Sequence, residues 1–230
     1  MDSSPGAVTR RLWPLLVSVH DALRAGVAVS AAVHAAHGWN PTADRHLDHQ
    51  LVRREAMEHL RPWGADLDDP RAVPAPVPGL DPRHGRQLEL TGTGPENLGL
   101  PMSGLILGTP TDVVRVWHSE DGELPAADTP GLRAFYRQTP STQTQLPLDD
   151  GRAGADAPRC HLALLWADTG ATVTRLDLVR PYGCAGRRAQ VDWHLDLLPV
   201  LAPRWPIPGH RERPPVPSGR HPDGDLGSAM

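Results

Sequence analysis

The apolar residues of this chain change their period part-way along it, and that change limits the fold more than any other feature. From Val8 to about His37 the positions Leu12, Leu15, Leu16, Val19, Leu23, Val27 and Val33 recur at three- and four-residue steps, the spacing of one buried helical face. Gly38 supplies a left-handed stop, and Thr42 is a candidate N-cap for a second helix from about Ala43 to Leu60. The apolar stripe of this helix is Leu47, Leu51, Val52, Ala56 and Leu60, with Arg45, Asp48, Arg53, Glu55 and Glu58 expected on the wet side. Two helices joined by so short a turn imply an antiparallel hairpin over 8–62.

A proline-rich connector follows over 63–86, centred on Val73-Pro74-Ala75-Pro76-Val77-Pro78. Beyond it the period is two. Strands are expected over 87–91, over 112–118 with Val114 and Trp117 on opposite faces, over 161–167 and 171–179 about a turn at Asp168-Thr169-Gly170, and over 191–197. Asp121-Gly122 reads as a hairpin turn. The segment 132–138 reads as a further strand, although Phe135-Tyr136 also suits a short helix. Helices segregated ahead of strands predict one α+β domain over 8–198, an N-terminal antiparallel helical hairpin packed on a mostly antiparallel sheet spanning 87–198. Residues 1–7 are expected to be flexible. Residues 199–230, crowded with Pro, Arg, Gly and Ser, are expected to form a disordered Pro-rich tail. Within it Arg213-Pro214-Pro215-Val216-Pro217 has the make-up of a polyproline II ligand.

All 23 basic residues are Arg and no Lys occurs. That absence excludes a P-loop, a pyridoxal Schiff base and S-x-x-K acyl transfer, each of which needs a lysine. The same bias, with Ala, Arg, Gly and Pro abundant and Lys, Ile, Asn and Phe scarce, is that of a GC-rich genome. A formal net charge of −4, with acids and arginines interspersed, gives no footprint for nucleic acid or an anionic membrane. Arg10 and Arg11 ahead of the apolar run Leu12 to Val19 mimic a signal peptide, but His20, Asp21 and Arg24 break the run well short of the ~20 residues of a membrane span. With only Cys160 and Cys184, which form no C-x-x-C pair, a cytoplasmic protein with two reduced thiols is expected.

His34, His37, His46 and His49 give H-x2-H-x8-H-x2-H across the helical hairpin. Imidazoles three apart share a helix face, so the four are a candidate site for zinc or another divalent transition metal. Cys160-His161 is a poor nucleophile pair, because neighbours on a strand face opposite ways. Ser103 lacks the G-x-S-x-G frame, and Gly92-Thr93-Gly94 lacks the third glycine and following helix of a dinucleotide loop. Arginines and aromatics recur on expected strands, and Arg115, Trp117, Arg133, Tyr136 and Arg137 form the candidate binding set. Against that, seven Trp beside one Phe and two Tyr suit core bulk.

With no catalytic frame in evidence, the expected function is a non-enzymatic binding or accessory protein, without a cofactor, that meets a protein partner through the sheet face or the hairpin. The alternatives are a hydrolase-like metal-dependent enzyme on the histidine hairpin and a nucleic-acid module using strand Arg and Trp.

Overall fold

The computed structural model describes residues 2–41, 43–65, 77–80, 88–92, 105–138 and 159–201. Helix α1 spans Pro5–His37, three residues earlier than the apolar period implies, because Pro5 pre-sets the first turn. It stops where Gly38 takes φ 65°, a left-handed conformation that costs glycine least. Helix α2 spans Arg45–Leu60, and Asp44 caps it by accepting the Leu47 N–H at 3.2 Å; Thr42 lies outside the described residues. Its buried positions are Asp48, Val52, Ala56 and Leu60. Asp48, expected in solvent, is therefore a core position, and its carboxylate accepts a hydrogen bond from Ser30 Oγ of α1. The helices meet closely at Gly26, where a Cβ would lie 2.5 Å from the Val52 carbonyl oxygen.

Seven strands follow one another across a single mixed sheet: β1 (Gly64–Ala65), β2 (Leu88–Gly92), β3 (Leu105–Gly108), β4 (Asp112–His118), β5 (Cys160–Asp168), β6 (Val173–Ala185) and β7 (Arg188–Asp196). Pairing is antiparallel except between β1 and β2 and between β4 and β5. The β4–β5 crossover carries helix α3 (Pro130–Tyr136), so the strand expected over 132–138 is a helix. The start signal is Thr129-Pro130: Thr129 Oγ1 accepts the Leu132 N–H at 3.2 Å and Pro130 opens the first turn. Asp121-Gly122 turns the chain without forming a hairpin, since β4 pairs with β3 and β5 instead. Cys184, expected in a loop, lies within β6.

The architecture is α+β, with the hairpin on one face of the sheet. Its core joins Leu12, Leu16, Val19 and Leu23 of α1 and Val52 and Ala56 of α2 to Leu105, Val114, Val116, Leu162, Leu164 and Leu178. On the opposite face α3 packs Leu132, Phe135 and Tyr136 against Trp117, Ala163, Leu165 and Val179. By length and composition α1 could cross a membrane, yet its apolar stripe is spent in this core. A buried ion pair fixes α1 to the sheet: Arg11 Nε donates to Asp112 Oδ2 at 2.9 Å and its Nη2 to Oδ1 at 2.5 Å.

Helix α4 (Leu198–Leu201) ends the described chain and buries Leu201 in the core. The tail expected from residue 199 therefore contributes its first three residues to the fold, and 202–230, including the polyproline segment, lie outside the described residues. So do Ser103, Thr93, Gly94 and most of the proline-rich connector, of which Val77 and Leu80 are seen buried against α1's cluster.

Candidate metal centre

Because β4 and β5 run parallel, their last residues, His118 and Asp168, emerge at the same end of the sheet. Strand alternation places both on the hairpin side, in step with Val114 and Val116 and with Leu164 and Trp166. Helix α2 lays His49 over them. A ring nitrogen of His49, one of His118 and a carboxylate oxygen of Asp168 all lie within 4.8 Å of one another. The two imidazoles lie with centroids 3.6 Å apart and planes tilted by 31°, and the Trp166 ring meets the His118 ring edge-on at 4.7 Å.

The separation of His118 and Asp168 is informative. Nε2 and Oδ2 stand 3.5 Å apart, an ion-pair distance at the outer limit of a hydrogen bond, and neither of these buried atoms has another hydrogen-bond partner among the described residues. Two ligand atoms each about 2.1 Å from a tetrahedral ion stand about 3.4 Å from each other. The other carboxylate oxygen is occupied: Oδ1 accepts the Gly170 N–H at 2.6 Å, which aims Oδ2 at the gap. Gly170 has φ 77°, so the turn that presents this amide favours glycine.

The electrostatics suit ligation. Burial, then the neighbouring His118, lowers the His49 pKa and favours the neutral imidazole. Burial works to raise the Asp168 carboxyl, but the His118 contact, the Gly170 amide and His49 outweigh it and the net shift is downward. Neutral imidazole and ionised carboxylate are the forms that bind metal.

Two openings flank the trio. A cavity of about 190 Å³ lies toward Leu23, Gln50, Arg53 and Ala56. A smaller one of about 60 Å³ holds Asp48, Glu120, Arg45 and Thr169, with Arg45 and Glu120 ion-paired across its rim.

Of the four histidines expected to ligate, His49 alone reaches this site. His34 is buried and its Nδ1 donates to the Ser30 carbonyl at 2.8 Å, His37 stacks on Trp39, and His46 is exposed. His46 sits in the first turn of α2, one turn before His49, and is exposed. In the candidate binding set, Trp117 and Tyr136 are core residues, and the Tyr136 hydroxyl donates to the Pro125 carbonyl at 2.8 Å. Arg115 lies over the Phe135 ring at 4.6 Å. Burial pushes its guanidinium down to about 10, and its Nε and Nη1 are buried without partners. Arg133 and Arg137 are exposed, and Arg133 donates to the Ala127 carbonyl.

His118 and Asp168 were overlooked as ligands because their convergence depends on the parallel β4–β5 pairing. The sequence signal is that each polar residue ends an apolar strand, and in parallel sheets ligands gather beyond the carboxyl ends of the strands. Comparison of the chain with protein-family models, with curated proteins and with solved structures finds no match.

Proposed function

We propose that this protein is a metal-dependent enzyme of hydrolytic type, with zinc or a similar divalent transition ion held by His49, His118 and Asp168. The observation that carries the reading is the 3.5 Å gap between two buried, otherwise unpartnered ligand atoms, closed on a third side by His49. Three protein ligands beside a cavity leave the open position that catalytic zinc sites keep. Zinc in such a site lowers the pKa of a bound water to about 7 and polarises a carbonyl.

The chain's own groups divide the remaining work. Gly170 fixes the Asp168 carboxylate, and Trp166 walls the imidazoles from the core. Asp48 and Glu120 place carboxylates in the smaller opening, where one can take a proton from water. In hydrolysis the water oxygen bonds to the acyl carbon, the bond to the leaving oxygen or nitrogen breaks, and the proton passes to that leaving atom.

The preference for a partner-binding role is weakened by the use of Trp117 and Tyr136 as core. The test is hydrolysis of p-nitrophenyl acetate by protein stripped with a chelator and then given one equivalent of zinc. Activity should return with zinc, fall at least about a hundredfold in Asp168→Asn, and survive in His46→Ala. Activity indifferent to both the chelator and Asp168→Asn refutes the proposal.

A further inference from the structure

The larger cavity beside the trio draws apolar side chains from both helices and the sheet: Leu23 of α1, Ala56 of α2, and Leu105, Val116 and Trp166 of β3, β4 and β5. His49 and His118 line both this cavity and the smaller opening, so the two imidazoles stand where the openings meet. On α2, Gln50 Oε1 accepts from Arg53 Nη2 at 2.6 Å, and Arg53 has a further partner besides, so its charge is already engaged. No carboxylate occurs among the described residues that line the cavity. An anion would give up its hydration there for apolar walls and an engaged guanidinium, and a cation would meet no opposite charge. An uncharged apolar body loses little by entering and gains the burial of its surface. The volume of about 190 Å³ exceeds the roughly 150 Å³ that accommodates benzene in an apolar protein cavity.

We infer that this cavity is an acyl pocket, taking an uncharged apolar group of about benzene size with the carbonyl it carries turned toward His49 and His118. The apolar body supplies the affinity, and the carbonyl is held on the side where the ligand atoms converge. Taken with the metal reading, on which the substrate class rests, the substrates are esters or amides of small aromatic or branched aliphatic acids that carry no second charge. Half-esters of dicarboxylic acids are poor substrates, because their free carboxylate is stripped of water without a partner. Acetyl esters leave most of the apolar wall uncovered and bind weakly.

The experiment is calorimetric titration of the chelator-treated full chain with benzamide, acetamide and benzoate as probes. Benzamide is expected to bind at least about tenfold more tightly than acetamide, through burial of its ring, and than benzoate, through the charge of the anion. Ala56→Leu fills the pocket from the helix side and should abolish the preference for benzamide over acetamide. Val116→Ala, a gentler change checked for folding by circular dichroism, removes wall from the ring and should weaken benzamide more than acetamide. Equal binding of benzamide and acetamide, benzoate bound as tightly as benzamide, folded variants that keep the wild-type preference, or no binding at all each overturns the assignment. Zinc retained by a second sample given one equivalent reads the metal site separately. Retained zinc without the benzamide preference removes the pocket alone, and the preference without retained zinc supports the pocket while removing the metal.

Discussion

Replacing Gly26 by alanine tests the contact that positions the candidate site. The added Cβ would lie 2.5 Å from the Val52 carbonyl oxygen and 3.0 Å from Val52 Cα, backbone atoms that no rotamer change can move. Reaching an ordinary contact near 3.4 Å requires α1 and α2 to separate by about 0.9 Å. Alanine gains about 1 kcal/mol of helix propensity over glycine, whereas overpacking a core costs about 1–3 kcal/mol. Since the clash is backbone against backbone, the upper end applies and the net loss is about 1–2 kcal/mol. In a domain of this size that lowers Tm by about 2–8 °C. Gly6→Ala is the control on the same helix, because nothing lies within 4 Å of its Cβ position; it should be neutral or slightly stabilising. Thermal unfolding followed by circular dichroism, with urea midpoints, reads both. Val52 is three residues from His49, so Gly26→Ala should also weaken zinc binding. A Gly26→Ala protein as stable as Gly6→Ala would refute the close helix crossing and with it the placement of His49.

Two further substitutions probe buried charge. Asp112→Asn leaves Arg11 buried without its counter-charge and should cost about 3–5 kcal/mol by urea denaturation; a cost under about 1 kcal/mol would show the pair to be solvated. Arg115→Met removes a guanidinium whose Nε and Nη1 lack partners, while keeping apolar contact with Phe135. It should raise stability by about 1 kcal/mol, and a clear loss would show that the cation over the Phe135 ring is worth more than its burial costs.

Local signals in the sequence carried much of the fold. The apolar stripe of α1, the Gly38 stop and the alternation in β4 each depend on neighbours a few residues apart, and each has its counterpart in the structure, whereas Val191, read as an inward position of β7, is exposed. What escaped the sequence was set by distant partners. Asp48 lies on the same stripe as Val52, Ala56 and Leu60, but its burial makes sense only once Ser30 of another helix answers it. Phe135-Tyr136 suits a strand or a short helix, and the Thr129-Pro130 cap decides for the helix. That helix is what carries the chain across between the parallel strands β4 and β5. Without the crossover His118 and Asp168 have no reason to meet, and three of the four histidines of the hairpin are drawn to separate partners instead, His34 to the Ser30 carbonyl, His37 to Trp39 and His49 to His118.

The most direct measurement of the central claim is the zinc K-edge X-ray absorption spectrum of the full chain carrying one equivalent of zinc after gel filtration. The account predicts two imidazole nitrogens and a carboxylate oxygen at about 2.0–2.2 Å, with one imidazole lost in His118→Ala and none lost in His46→Ala. Zinc that washes off the wild-type chain, or a spectrum that His118→Ala leaves unchanged, would contradict it.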